Sequence, residues 1–275
     1  MSSLVGCSSL DVLNALTSNP MAKPVVVSYG DTERQKIDVY ALPKGNPHSR
    51  PMILFFYGGS WATGSRTDYT FVASGFGDAG FVVAIADYRL IPEVTYPEFV
   101  KDSAAALRVL VDRAEEFGAD PNKIVLAGHS AGAYNALMIA MDQRWLDSGY
   151  RQRIRGVIGL SSPVNFLPIQ LPEAQQAFNW PNTPQDTQPI EHVRADNPPV
   201  LLFSANRDPL VNPEVNSRPM AQRLREKGVP VELYEFDGPL GLINHANLVG
   251  TLSPSFRFAA PTLEKSIDFV KRVTR

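Results

Sequence analysis

Apolar residues along the chain fall into short continuous runs, separated by segments in which they recur at helical spacing. Five runs are apolar throughout, as strands covered on both faces of a sheet must be. They span residues 52–57, 81–86, 124–127, 156–160 and 200–203. Helical patterns span residues 68–78, 97–117, 131–142, 213–227 and 262–273. The alternation predicts an α/β fold with a mostly parallel central sheet and helices on both faces.

Strand-like runs also occur before and after this series. Residues 25–29 and 37–40 are joined through Gly30 and Asp31, which favour turns, and they predict an antiparallel hairpin. A last strand-like run, residues 231–236, follows the fourth helical pattern. An antiparallel pair is therefore expected to precede the parallel strands.

No abrupt change of composition marks a linker within the 275 residues, so residues 21–275 are predicted to form one domain. Residues 1–20 are interpreted as a tether or a truncated lipoprotein signal. Residues 4–7, Leu-Val-Gly-Cys, resemble the cleavage box of bacterial lipoproteins, whose cysteine is acylated. A working signal needs an apolar stretch of about 7–15 residues, which is more than precedes Cys7. Two locations stay open: a cytoplasmic chain as written, or a lipid anchor at Cys7 in the cell envelope if the true start lies upstream.

Charge and cysteine content exclude several classes of protein. Lys and Arg number 26 against 28 for Asp and Glu, and the two signs are interspersed, which argues against a nucleic-acid-binding protein. The single Cys7 leaves no internal disulfide and no thiolate-rich zinc site. No apolar run is long enough for a transmembrane helix.

Two segments need separate interpretation. Residues 75–80 match the dinucleotide pattern Gly-X-Gly-X-X-Gly, but they follow a helix and precede a strand, which is the reverse of the order that binds a pyrophosphate.

Residues 161–199 contain eight prolines, too many for regular structure. This segment is predicted to form a small cap over the site, and the alternative is a stiff surface loop. Its candidate pocket walls are Phe166, Leu167, Phe178 and Trp180.

The segment around Ser130 joins a strand-length run to a helical pattern through a glycine-flanked turn. Residues 128–132 read Gly-His-Ser-Ala-Gly, and the glycines remove side chains where a strand turns abruptly into a helix. Such a nucleophile elbow would expose the Ser130 hydroxyl beside the N–H groups of a helix start, which favour a developing anion. The pentapeptide alone is common, so the interpretation depends on its partners.

A serine nucleophile needs a base that takes its proton. The chain has four histidines. His129 adjoins Ser130 and is expected to point away from the hydroxyl. His48 and His192 lie in proline-rich segments. His245, in a loop after the last strand-like run, is therefore the predicted base.

The base needs a carboxylate that orients it, placed at the end of a strand between nucleophile and base. Asp208 follows the buried run 200–203 and meets this condition. Asp186 lies in the proline-rich segment, and Asp237 is too close in sequence to His245. Asp208 is predicted to hold the imidazole, against the alternative of an ordinary turn aspartate.

A Tyr-Gly-Gly-Ser-Trp stretch begins at the end of the first buried run. Gly58 and Gly59 let the backbone approach a substrate closely. The N–H groups of Gly59, Ser60 and Ala131 are predicted to converge on the oxyanion, with Trp61 in the same site. Such a donor contributes about 3–4 kcal/mol when it is preorganised. The alternative is a plain Gly-Gly turn.

These segments together resemble the α/β-hydrolases of the broad esterase and lipase group, near the carboxylesterases and kynurenine formamidases. The oxyanion motif of that group reads His-Gly-Gly-X-Trp, from which Tyr57 is the one departure. Residues 86–90, Ala-Asp-Tyr-Arg-Leu, with Pro92 and Pro97 shortly after, also resemble the group, and the likeness runs from about Pro24 to the end. The family's His is thought to brace the oxyanion loop, so Tyr57 is expected to affect rate or substrate more than mechanism.

The expected function is that of a serine carboxylesterase acting on small or short-acyl esters through an acyl-enzyme. This function requires no metal and no cofactor, and the expected partner is a small-molecule ester substrate. An arylformamidase that cleaves N-formyl amides and a non-catalytic binding protein on the same fold are the alternatives. The natural substrate, the oligomeric state and the compartment are left open by the sequence.

Overall fold

Eight strands form one sheet in the part of the chain that the structure describes. The structure is a computed structural model that describes Asn14, residues 23–41 and residues 49–275. The strands are β1 Val25–Ser28, β2 Lys36–Tyr40, β3 Arg50–Phe56, β4 Val82–Ala86, β5 Ala119–His129, β6 Ile154–Leu160, β7 Val200–Ala205 and β8 Val231–Phe236. Their spatial order is β1-β2-β4-β3-β5-β6-β7-β8. β2 pairs antiparallel with β1 and β4, and the other pairs are parallel, so the predicted sheet is confirmed.

The helices fall close to the predicted segments. They are α1 Thr70–Gly77, α2 Glu98–Asp112, α3 Ala131–Met141, α4 Ser148–Arg151, α5 Pro172–Ala177, α6 Ser217–Glu226 and α7 Thr262–Val273. Shorter 3₁₀ turns are Arg66–Tyr69, Ala114–Phe117, Gln185–Thr187, Pro189–His192, Pro239–Gly241 and Leu248–Leu252. The single helical pattern at 97–117 is therefore divided, because α2 ends before a separate 3₁₀ turn.

The central strands are covered on both faces. Every residue of β4 and of β7 is buried, as their unbroken apolar sequences predicted. α2 and α3 pack on each other and on β5, whereas α1 contacts α7, which also packs on β6. The parallel strands thus form a fixed frame, and the loops at their carboxyl ends meet at one edge of the sheet.

The glycine-rich segment at residues 75–80 is the end of a helix. α1 ends at Gly77, and the chain turns through Gly80, whose φ is +88°, before β4 begins. A Cβ on Gly75 would lie 2.2 Å from the carbonyl oxygen of Leu252, so this glycine serves close packing. The predicted order of helix and then strand is confirmed.

The proline-rich segment 161–199 connects β6 to β7 and contains more regular structure than its composition suggested. It holds α5 and two 3₁₀ turns. Pro172 occupies the start of α5, where a missing backbone N–H leaves no helical hydrogen bond unmade. The segment is tied to the frame because Tyr134 of α3 donates to the carbonyl oxygen of Thr187 at 2.7 Å.

Most of residues 1–20 lie outside the described residues, as do Cys7 with its proposed lipid anchor and His48. Asn14 is described, and its side-chain oxygen accepts hydrogen bonds from Thr70 Oγ1 at 2.7 Å and from the Phe71 amide at 3.1 Å. It therefore contacts the first turn of α1. Within the described residues, no helix is both long enough and apolar enough to cross a membrane.

Candidate active site

Ser130 lies at a sharp turn between β5 and α3. Its φ and ψ are 52° and −122°, a conformation that costs a non-glycine residue on the order of 1–3 kcal/mol. A Cβ on Gly132 would lie 2.1 Å from the carbonyl oxygen of Phe56, and one on Gly128 would lie 2.5 Å from the Gly132 carbonyl. The two glycines are therefore required by the turn, as the elbow interpretation expected.

Three polar side chains that are distant in sequence meet at this turn. The His245 Nε2 atom lies 2.8 Å from Ser130 Oγ, and His245 Nδ1 lies 2.7 Å from Asp208 Oδ2. Ser130 follows β5, Asp208 follows β7 and His245 lies in the loop after β8. The structure thus brings together the serine, histidine and aspartate singled out from the sequence.

Asp208 is buried and held by more than one donor. Its Oδ1 accepts hydrogen bonds from the amides of Leu210 at 3.0 Å and Val211 at 2.8 Å. Burial by itself would raise the pKa of this carboxyl, but the hydrogen bonds from His245 and Val211 outweigh it and hold the pKa below its ordinary value. Asp208 therefore stays ionised at neutral pH and fixes the orientation of the imidazole.

The two other aspartates considered as partners of His245, Asp186 and Asp237, form contacts with other residues. Asp186 forms an ion pair with Arg144 at 2.6 Å, and its carbonyl oxygen contacts His192 Nε2 at 2.7 Å. Asp237 accepts a hydrogen bond from Asn206 at 3.0 Å.

His129, whose side chain was expected to point away from the Ser130 hydroxyl, makes a contact that sequence reasoning missed. Its Nε2 atom lies 2.8 Å from the carbonyl oxygen of His245. A carbonyl oxygen only accepts, so Nε2 carries the proton. Burial, and secondarily the nearby His245, lowers the pKa of His129 to about 3, so its ring is neutral. The bond spans 116 residues, and no local pattern signals it.

The loop after β3 passes close to the elbow. A Cβ on Gly58 would lie 3.1 Å from the Cβ of Ser130. Gly59, Ser60 and Trp61 have φ values of 134°, 52° and 57°, and the Gly59 carbonyl accepts hydrogen bonds from two residues further along the loop. This tight turn leads Ser60 and Trp61 to the cavity that Ser130 also lines.

The cavity has a volume of about 510 Å³. The described residues that line it include no Asp, Glu, Lys or Arg; they are Ser60, Trp61, Ser130, Ala131, Pro163, Asn165, Phe166, Leu167, Pro168, Ile169, Gln170, Leu171, Pro172, Ala174, Pro209, Leu210, Val211, Asn212, Val215, Asn216 and His245. Ten of these residues, all between Pro163 and Ala174, belong to the proline-rich segment 161–199 and form one wall of the cavity.

Of the four predicted wall residues, Phe166 and Leu167 line the cavity. Phe178 and Trp180 do not, and for them the expectation was wrong. The Phe178 ring packs edge-on against Trp61 with 4.8 Å between centroids, so it supports the wall from behind. The indole N–H of Trp61 donates to the buried Asn135 side chain at 3.1 Å, which fixes the ring that faces the cavity.

A family model described as BD-FAE matches residues 37–224. The match covers well over half of the chain and contains the elbow, the cap and Asp208. The chain belongs to the BD-FAE family. As a BD-FAE protein it is similar, at low sequence identity, to curated relatives that are named as esterases, two of which are described next.

The first relative is the isoprenylcysteine alpha-carbonyl methylesterase of Arabidopsis thaliana, to which this BD-FAE chain is 25% identical over 235 residues, covering 77% of this chain and 55% of the relative. The second is the esterase LipC of Mycobacterium tuberculosis, with 26% identity over 219 residues, covering 72% and 54%. The chain thus spans about half the length of these curated relatives.

Among solved structures, the apo form of esterase 2 from Thermogutta terrifontis superimposes with a TM-score of 0.76 at 24% identity, covering 93% of this chain and 96% of that chain. The same esterase phosphorylated by paraoxon matches with a TM-score of 0.74 at 25% identity, covering 92% and 95%. The BD-FAE chain therefore has the α/β-hydrolase fold that its sequence resembled.

Proposed function

We propose that this protein is a serine carboxylesterase that hydrolyses small or short-acyl esters through Ser130, His245 and Asp208. The observation that carries the proposal is the pair of contacts at 2.8 Å and 2.7 Å that joins the three side chains. Ser130 and His245 line a cavity of about 510 Å³ whose lining residues include no Asp, Glu, Lys or Arg among those described, which suits a neutral ester. The relatives named as esterases support the same class.

In the first half of the reaction, His245 Nε2 removes the proton from Ser130 Oγ as the oxygen attacks the ester carbonyl carbon. The carbonyl electron pair moves onto its oxygen, and the N–H groups of Gly59, Ser60 and Ala131 donate to that oxyanion. Asp208 keeps the other imidazole proton on Nδ1 and stabilises the charged ring. His245 then gives the Ser130 proton to the leaving alcohol, and an acyl-enzyme results.

In the second half, water attacks the acyl carbon while His245 takes one of its protons. The same backbone donors hold the second oxyanion. Return of the proton to Ser130 Oγ releases the carboxylic acid and restores the resting site.

The test replaces the nucleophile. Ser130→Ala should reduce hydrolysis of p-nitrophenyl acetate by at least about 10³-fold, because the covalent step is lost. Ser266→Ala, in the distant α7, is the matched control and should retain full turnover. Turnover retained by Ser130→Ala with an intact fold would overturn the proposal.

Labelling by paraoxon gives a second readout. An activated serine should gain a diethyl phosphoryl group, detected by mass spectrometry on the peptide that contains Ser130. No labelling and no turnover would favour the binding-protein alternative. Hydrolysis of formylated anilines in preference to acetyl esters would favour the arylformamidase.

A further inference from the structure

Tyr57 stands immediately before the loop that carries the proposed oxyanion donors, and its side chain is fully buried. Its hydroxyl oxygen accepts a hydrogen bond from Arg34 Nη2 at 2.8 Å. Arg34 belongs to the turn between β1 and β2, at the amino-terminal edge of the sheet, and does not line the cavity. An arginine of the hairpin therefore reaches into the base of a loop that is 23 residues away in sequence.

The same guanidinium holds the far end of the loop. Arg34 Nη2 also donates to the carbonyl oxygen of Gly64 at 2.7 Å, and its Nε donates to that of Tyr88 at 3.2 Å. Gly64 packs directly on Tyr57, because a Cβ there would lie 2.7 Å from the phenol ring. Residues 58–63 are thus clamped at their entrance and their exit by one side chain.

The phenol is fixed in a neutral state. Burial and the nearby Asp87 carboxylate raise the pKa of Tyr57 well above its ordinary value, so the oxygen remains a protonated acceptor for Arg34. The Tyr57 ring stacks on Tyr88 with 4.9 Å between centroids and on Tyr69 with 5.7 Å. Its position is therefore set by two rings and one cation.

These tyrosines also hold the backbone. Tyr88 donates to the carbonyl oxygen of Tyr57 at 2.7 Å. Burial raises the pKa of Tyr69 to about 12 in spite of the hydrogen bond that its oxygen receives from the Gly58 amide. The carbonyl and the N–H of the peptide bond between Tyr57 and Gly58 are therefore both hydrogen-bonded, which fixes the orientation of the backbone from which the N–H groups of Gly59 and Ser60 follow.

We infer that Arg34 and Tyr57 are positioning residues which hold the N–H groups of Gly59 and Ser60 where the oxyanion forms. The inference rests on the proposed function. Donors that act on a charge present only in the transition state change kcat and leave KM nearly unaltered. A displacement of about 1 Å in such a site reduces the rate by up to about 10²-fold.

The experiment compares Tyr57→Phe and Arg34→Met with the wild-type full chain on p-nitrophenyl acetate. Each variant should lower kcat by about 10- to 100-fold and change KM by less than about twofold. Affinity for an alkyl trifluoromethyl ketone, which forms a tetrahedral oxyanion adduct with an active serine, should fall by the same factor as kcat. Tyr40→Phe, which removes a buried phenol oxygen from β2, should leave both quantities at the wild-type level.

Arg34→Lys serves if Arg34→Met does not fold, because it keeps the charge but cannot span both Tyr57 and Gly64. It should show the same loss of kcat. A wild-type kcat in Tyr57→Phe, or a loss confined to KM or to the thermal midpoint, overturns the inference. The proposed function is judged separately, because it fails only if the wild type is inactive or Ser130→Ala remains active.

Discussion

At the scale of single residues, one buried carboxylate is distinguished from its rivals by the donors around it. Asp208 accepts from two backbone amides through one oxygen and lies against His245 through the other. Asp237, which is close to His245 in sequence, bonds to Asn206 instead. The difference follows from the strand that each residue terminates, since Asp208 follows β7 and Asp237 follows β8, the edge strand.

Asp208→Asn should lower kcat on p-nitrophenyl acetate by about 10³- to 10⁴-fold, because an amide neither fixes the required tautomer of His245 nor stabilises its charged form. KM should change little. Asp237→Asn is the matched control and should retain activity. Steady-state kinetics of the two variants check the assignment, and the opposite ranking would contradict it.

At the scale of elements, the elbow works because α3 packs directly against the end of β3. Gly132 allows this contact, since any side chain there would collide with the carbonyl groups of Phe56 and Tyr57. Backbone atoms cannot rotate away as a long side chain can, so the collision must be relieved by moving the helix. Gly80 is a glycine of a different kind, with a φ of +88° and open space around it.

Gly132→Ala should therefore destabilise the protein by at least about 3 kcal/mol, the upper range for an overpacked core. Gly80→Ala should cost only about 1–2 kcal/mol, the strain of a left-handed alanine. Urea unfolding of both variants measures the difference. If both variants lost the same free energy of unfolding, the prediction would be wrong, because α3 could then move away from β3 at little cost.

At the scale of the whole molecule, the site joins segments from both ends of the described chain. His129 ties the elbow to the loop of His245, and Arg34 ties the hairpin to the loop after β3. His129 is buried and neutral, with its Nδ1 atom unpartnered among the described residues. An unfolded chain would protonate this imidazole in mild acid, whereas the folded chain does not.

The pKa of His129 is about 3 in the folded protein and near 6.5 when unfolded, so the unfolded state binds more protons between these values. Stability is therefore fully present above pH 6.5 and falls as the pH is lowered toward 3. Between pH 7 and pH 5 this residue should remove about 2 kcal/mol from the free energy of unfolding. Urea unfolding at both pH values measures the loss, which should be smaller in His129→Gln. An equal loss in that variant would assign it to other groups.

Features carried by neighbouring residues could be predicted before any coordinates. The elbow depends on Gly128 and Gly132 beside Ser130, and the parallel strands depend on unbroken apolar runs, so both were evident from local sequence. Trp180 shows where prediction from local sequence fails. Its large apolar side chain suggested a pocket wall, but in the fold it is not among the residues that line the cavity.

By itself, the sequence determined the strand and helix series, the turn at Ser130 and the chain order of serine, aspartate and histidine, because these follow from the local pattern of apolar residues and glycines. Only the tertiary structure decided that β2 lies beside β4, that Phe178 backs Trp61, and that Arg34 reaches Tyr57. The physical reason is that such contacts depend on strand order, register and side-chain direction, which are set jointly by the whole packed core.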